Sequence, residues 1–221
     1  MKRITLFAGH YGSGKTCIAV SYAKLIKKSG FDTSIIDLDI VNPYFRTKDS
    51  EKELTDAGIN IIASEYANTN LDAPALPKEI YSAISNKESH LVIDVGGDDR
   101  GAVALGRYAG DITEDNDYDM FFVASCYRPL TKTPEEALEV MREIEVASKI
   151  KFTGIVNNSN IGKATTSADV KNSVEFINKL SELAGIPVVM TTATGSVYEE
   201  IKNDIPNSFY IDLQDKYYEI K

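Results

Sequence analysis

Eight consecutive residues near the start of the chain, Gly9-His10-Tyr11-Gly12-Ser13-Gly14-Lys15-Thr16, satisfy G-x-x-x-x-G-K-[ST] at every fixed position. The flanks match what that pattern needs. Ile4-Thr5-Leu6-Phe7-Ala8 is a short apolar run that predicts a buried strand. Cys17 to Ile26 carries apolar residues at 18, 22, 25 and 26, a helical spacing. The glycines therefore fall on a strand-to-helix turn. Glycine tolerates the dihedrals such a turn requires and lets the backbone approach a ligand closely. Successive N–H groups and the helix N-terminus then make an anion site. On this reading Gly9, Gly12, Ser13, Gly14 and Lys15 bind phosphates, with Cys17 on the helix's first turn beside them. Lys15 reaches the β- and γ-phosphates, and the Thr16 hydroxyl ligates Mg²⁺.

The rest of the chain alternates strand-like and helix-like segments, which predicts βα units on a parallel sheet. Strands are expected at 33–37, 59–62, 90–94, 120–125, 153–157 and 187–191, with an edge strand at 208–213. Helices are expected at 47–57, 77–86, 101–109, 134–147, 167–183 and 197–202. Thr133 and Ser167 are the expected N-caps. Leu71 to Leu76 reads as a proline-containing loop, and Asp111 to Asp119 as an acidic surface turn. No repeat, low-complexity tract or linker divides the chain, so residues 1–221 are expected to form one domain.

In an open parallel sheet, ligands bind beyond the carboxyl ends of the strands. Asp37, Asp39, Asp94, Gly96-Gly97 and Asn157 all fall at predicted strand ends, on the edge that carries the glycine-rich loop. Asp94 closes an apolar strand, where a carboxylate helps hold Mg²⁺. Asp94-Val95-Gly96-Gly97 fits D-x-x-G, whose glycine N–H can sense a γ-phosphate. Asp37 and Asp39 share a strand face by their spacing. That suits Asp37 near the metal and Asp39 orienting the attacking water. An amide at Asn157 or Asn158 can read a purine edge with both donor and acceptor. The guanine-selective N-K-x-D is absent, since the run is Asn157-Asn158-Ser159-Asn160, and this favours adenine.

The formal net charge of −9 argues against a nucleic-acid surface as the main function. Cys17 and Cys126 form no metal-binding spacing, which fits a reducing, cytoplasmic setting. No apolar run approaches a membrane span, and no signal-peptide pattern is seen.

The set GHYGSGKT, IIDLDIVNP, LVIDVGGDD and GIVNN resembles the MinD/ParA/CobB-type, SIMIBI-class family of P-loop ATPases, over Ile4 to about Pro187. The resemblance implies an α/β, single-domain P-loop NTPase with a mostly parallel sheet of seven or eight strands and helices on both faces. It also implies a Mg·ATP site and a nucleotide-dependent homodimer whose two sites face each other. Carried across by motif, Lys15 and Thr16 serve phosphate and Mg²⁺, Asp39 positions water, Asp94 serves the metal and Asn157 lies near adenine. One departure stands out. Family members that hydrolyse ATP as sandwich dimers carry a signature lysine directly after the first loop glycine, and here that residue is His10. Slow hydrolysis, or a substitute cation such as Arg100 or Arg128, would account for it. The cysteine pairs, basic surface and basic amphipathic tail of particular branches are also missing. The expected function is a Mg-dependent ATPase switch that serves an unknown protein partner in assembly or maturation. The alternatives are a small-molecule kinase or ATP-dependent ligase, and a nucleotide-binding regulator with little hydrolysis.

Overall fold

The computed structural model describes residues 1–39, 51–63, 78–97 and 99–212. Within them the strands are β1 (Ile4–Ala8), β2 (Thr33–Leu38), β3 (Asn60–Ala63), β4 (His90–Val95), β5 (Tyr118–Ala124), β6 (Gly154–Asn157), β7 (Val188–Ala193) and β8 (Ser208–Tyr210). They form one eight-stranded sheet in the order β3-β2-β4-β1-β5-β6-β7-β8. Every pairing is parallel.

Alternation along each strand sorts the core into two layers. Ile4, Leu6 and Ala8 of β1 join Ile36, Ile93, Met120 and Phe122 on one face. Phe7 points the other way, with Ile35, Val92, Phe121, Val123 and Val156. Because both faces are covered, the central strands are largely apolar. The first face takes residues of α3 (Lys78–Ser85), α4 (Asp99–Leu105), α5 (Ala109–Thr113), α6 (Pro134–Ser148) and α7 (Ser167–Ala184). The second takes α1 (Lys15–Lys28) and α2 (Glu51–Asp56). A third small cluster seats α8 (Gly195–Ile201), through Ile201, against Val170 and Ala193.

The structure corrects several expectations. The helix expected at 101–109 is two, α4 and α5, broken at residues 106–108. At Gly106 a side chain would meet the Ala147 carbonyl at 2.8 Å, so α6 packs directly against this break. The acidic stretch 111–119 is not one turn. Asp111 lies in α5, and Tyr118 and Asp119 begin β5, where they pair with Ile4 and Thr5. The cap of α7 is Thr166, not Ser167: its hydroxyl accepts from the Asp169 N–H and the Asp169 carboxylate returns the bond. Thr133 caps α6 as expected, in the same reciprocal arrangement with Glu136. Strand β2 ends at Leu38, so Asp39 follows the strand instead of sharing it. Residues 47–50 of the expected second helix, the loop 71–76 and the chain after Asp212 lie outside the described residues.

Candidate phosphate and metal site

The topology places β1 between β4 and β5, with β2 beyond β4. Register does the rest. Phe7 pairs with Asp94, and Asp94 pairs with Asp37. The two carboxylates therefore stand side by side on neighbouring strands, next to the start of the glycine-rich loop.

That loop leaves β1 at Gly9 and enters α1 at Lys15. Gly14 caps the helix in the left-handed region, φ 86° and ψ 20°. A side chain there would be strained, and its Cβ would collide with the Asn158 amide. The Lys15 side chain is mostly buried, at 7% exposure, and its ammonium donates to the His10 carbonyl at 3.1 Å, folding back across the loop. The Thr16 hydroxyl donates to Asp94 Oδ2 at 2.6 Å.

Asp94 is 1% exposed. Burial, and then the adjacent Asp37 carboxylate, push its pKa up to about 8, while the Thr16 hydroxyl and the Lys15 ammonium pull it the other way. Its Oδ1 is buried and has no hydrogen-bond partner among the described residues. Such a carboxylate calls for added positive charge. Thr16, Asp94 and Asp37 fit an oxygen-ligated divalent cation that takes its other ligands from phosphate and water, as Mg²⁺ does. No cluster of three or more His, Cys, Asp or Glu residues arranged for a metal occurs among the described residues. A cation shared with a phosphate ligand needs no such cluster.

The turn after β4 lies against the loop. At Gly97 a Cβ would come within 2.7 Å of Tyr11 Cα and 2.9 Å of the Lys15 ammonium. At Gly96 it would come within 3.2 Å of Asp39 Cα. The Gly96-Gly97 turn thus touches the glycine-rich loop on one side and the Asp39 backbone on the other. The Asp39 N–H donates to Asp37 Oδ1 at 2.9 Å, which ties Asp39 to the Asp37 carboxylate through a short turn.

The two asparagines at the end of β6 divide the work differently from the expectation. Asn157 is wholly buried, donating to the Ser173 hydroxyl at 2.9 Å and accepting from the Ser159 N–H at 3.2 Å. With both ends engaged, its amide presents no edge to a base. Asn158 is the residue that reaches the loop. Its Nδ2 donates to the Ser13 carbonyl, while its Oδ1 accepts from the Thr192 hydroxyl and Asn160 Nδ2. Cys17 is half-buried on the first turn of α1, and neither it nor Cys126 is in a disulfide. The sequence offered both asparagines for a purine edge, and the family resemblance put Asn157 near adenine; it did not single out Asn158. The missed signal is the Gly14–Asn158 contact, which exists only in space.

No family profile matches this chain, and no curated protein does. Solved structures do. FtsY from Mycoplasma mycoides superposes with a TM-score of 0.61 at 16% identity, over 87% of this chain and 60% of that one. The cell division protein FtsY of Thermotoga maritima gives 0.60 at 16% identity, over 87% and 62%. The signal recognition particle receptor FtsY of Elizabethkingia anophelis in complex with GDP gives 0.56 at 15% identity, over 87% and 57%. The chain shares the fold of these FtsY structures, an α/β fold whose parallel sheet has eight strands here. It spans about three fifths of the length of these FtsY chains. The narrower likeness to the MinD/ParA/CobB branch rests on the motifs alone.

Among the described residues, no helix is long and apolar enough to cross a membrane.

Proposed function

We propose that this chain binds a Mg·nucleoside triphosphate, ATP by preference, and hydrolyses it as a nucleotide-dependent switch. The observation that carries this reading is the Thr16–Asp94 hydrogen bond, 2.6 Å, on a loop whose lysine is folded over its own backbone. Thr16, Asp94 and Lys15, the residues assigned here to phosphate and metal, lie on adjoining elements, which supports the reading. In this reading the N–H groups from Gly9 to Thr16, with Cys17 in the first turn, hold the phosphates. Thr16, Asp94 and Asp37 hold Mg²⁺, which when bound neutralises phosphate charge. Lys15 contacts the β- and γ-phosphates. Asp39 orients a water in line with the terminal phosphorus. The new bond forms from the water oxygen to phosphorus and the bond to the bridging oxygen breaks, giving nucleoside diphosphate, phosphate and a proton. The Gly97 N–H contacts the terminal phosphate, so its loss frees the turn after β4.

Adenine is favoured because the base-side loop offers no carboxylate to accept from guanine N1–H and N2–H. The register starting at Asn157 ends on Asn160, and the one starting at Asn158 ends on Ile161. Asn157 supports this loop from behind through Ser159. The FtsY bound to GDP makes guanine the comparison to run.

The experiment is equilibrium binding of Mg·ATP and Mg·GTP, with phosphate release, on wild type, Lys15→Ala and Asp39→Ala. Wild type is expected to bind ATP more tightly than GTP. Lys15→Ala abolishes binding, and Asp39→Ala keeps binding but slows release about 100-fold or more. Tight binding by Lys15→Ala would remove the site assignment, and preference for GTP would reverse the base assignment.

A further inference from the structure

The phosphate loop lacks a fixed positive charge at its second position, where His10 turns its ring to the Tyr11 carbonyl, Nδ1 to O 3.1 Å. A second cation nevertheless stands over this loop. A Cβ built on Gly12 would lie 3.5 Å from the Arg128 guanidinium carbon and 3.6 Å from its Nε and Nη1. The guanidinium therefore packs over the middle of the loop, on the bare backbone that glycine leaves there. Arg128 is exposed, and its guanidinium makes no ion pair or hydrogen bond among the described residues. An arginine with no counter-ion, beside a loop built for anions, awaits an anion.

The residue is also held in place. Its N–H donates to the Ser125 carbonyl at 3.2 Å, and the Thr131 hydroxyl donates to the same carbonyl at 2.7 Å. The Cys126 N–H donates to the Ser159 hydroxyl at 3.2 Å, and the Tyr127 hydroxyl to the Asp169 carbonyl at 3.0 Å. The segment after β5 is thereby pinned to itself, to the loop after β6 and to α7. A cation carried on a pinned backbone needs little reorganisation to meet developing charge.

We propose that Arg128 is a phosphate-contacting cation of its own subunit's site, supplying from within the chain the charge that His10 does not. Its planar guanidinium can bond two oxygens of the triphosphate at once. The inference rests on the nucleotide-binding reading above, and the test separates the two.

The test compares wild type, Arg128→Ala and Arg128→Lys for Mg·ATP affinity, turnover and thermal midpoint, and adds a mixing assay. Arg128→Ala is expected to keep the wild-type melting temperature and to lose about 100-fold in turnover, with weaker triphosphate binding. Arg128→Lys recovers part of the loss, because it restores charge but not the fork. Mixing Arg128→Ala with Lys15→Ala, whose Arg128 is intact, does not restore turnover. Restoration on mixing would make the arginine act across a subunit interface and overturn the proposal. Wild-type affinity and turnover in Arg128→Ala would overturn it outright. Failure of the wild type itself to bind nucleotide would instead overturn the phosphate-site reading, and this inference with it.

Discussion

Asn157 and Asn158 are chemically identical neighbours with different tasks. The last residue of β6 points its amide into the sheet–helix layer, where Ser173 of α7 receives it. The next residue turns to the other side and holds the Ser13 carbonyl. Removing the Asn157 amide leaves the Ser173 hydroxyl and the Ser159 N–H short of a partner, which costs about 1–3 kcal/mol of stability. Asn158→Ala costs a similar amount and also frees the phosphate loop from Thr192 and Asn160. The expected outcome is that both variants melt lower, and that Asn158→Ala loses markedly more ATP affinity than Asn157→Ala. Thermal melts and titrations on the two variants check it; equal affinity losses would mean that the hold on Ser13 adds nothing specific. The sequence displayed both residues at a strand end, but side-chain direction there depends on where β6 stops. The glycine-rich loop itself was legible because its chemistry is local. Eight adjacent residues carry it, and the strand and helix on either side set the turn.

Elements joined by through-space contacts were legible in kind more than in extent. The strand expectations fell on the observed strands because residues buried on both faces leave long apolar runs. The helix over 101–109 was misjudged because the break at Gly106 is imposed by α6, a contact no local pattern records. The end of α6 shows what such contacts add. Glu145 is buried there, accepting from Arg142 at 2.7 Å, Lys151 at 2.9 Å and the Phe152 N–H at 3.0 Å, and so fixes how α6 turns into β6. Burial alone would push its carboxyl up, but the bonds from Lys151, Arg142 and Phe152 outweigh it, and the pKa sits below the ordinary 4.5. The folded state thus binds fewer protons than the unfolded chain in this window. The carboxylate's contribution is complete above about pH 4.5 and is lost as pH falls through the lowered folded value. Glu145→Gln is expected to cost about 1–2 kcal/mol near neutral pH, and the gap from wild type to narrow at lower pH. Denaturant unfolding at several pH values checks it; a gap that widens on acidification would reverse the assignment.

Among the described residues, the glycine-rich loop, Asp37, Asp94, the Gly96-Gly97 turn, Arg128 and Asn158 gather on one edge of one sheet, at the ends of β1, β2, β4, β5 and β6. Tyr11 is 48% exposed on the glycine-rich loop, and the turn at Gly96-Gly97 touches the same loop. A second copy docking on this edge would sense the terminal phosphate through both. If Arg128 supplies the charge from within, the second copy is needed for the switch and not for the chemistry. Association should then follow the triphosphate, while turnover per subunit stays nearly independent of protein concentration. Light scattering in Mg²⁺ with a non-hydrolysable ATP analogue, and then with Mg·ADP, measures the first; turnover across a hundredfold dilution measures the second. We expect a doubled mass with the analogue, a single-subunit mass with ADP, and flat specific activity. A mass that ignores nucleotide, with binding independently confirmed, would remove the switch. The same triphosphate site would then serve a transfer reaction, and a small-molecule acceptor that accelerates ATP consumption would be the thing to find.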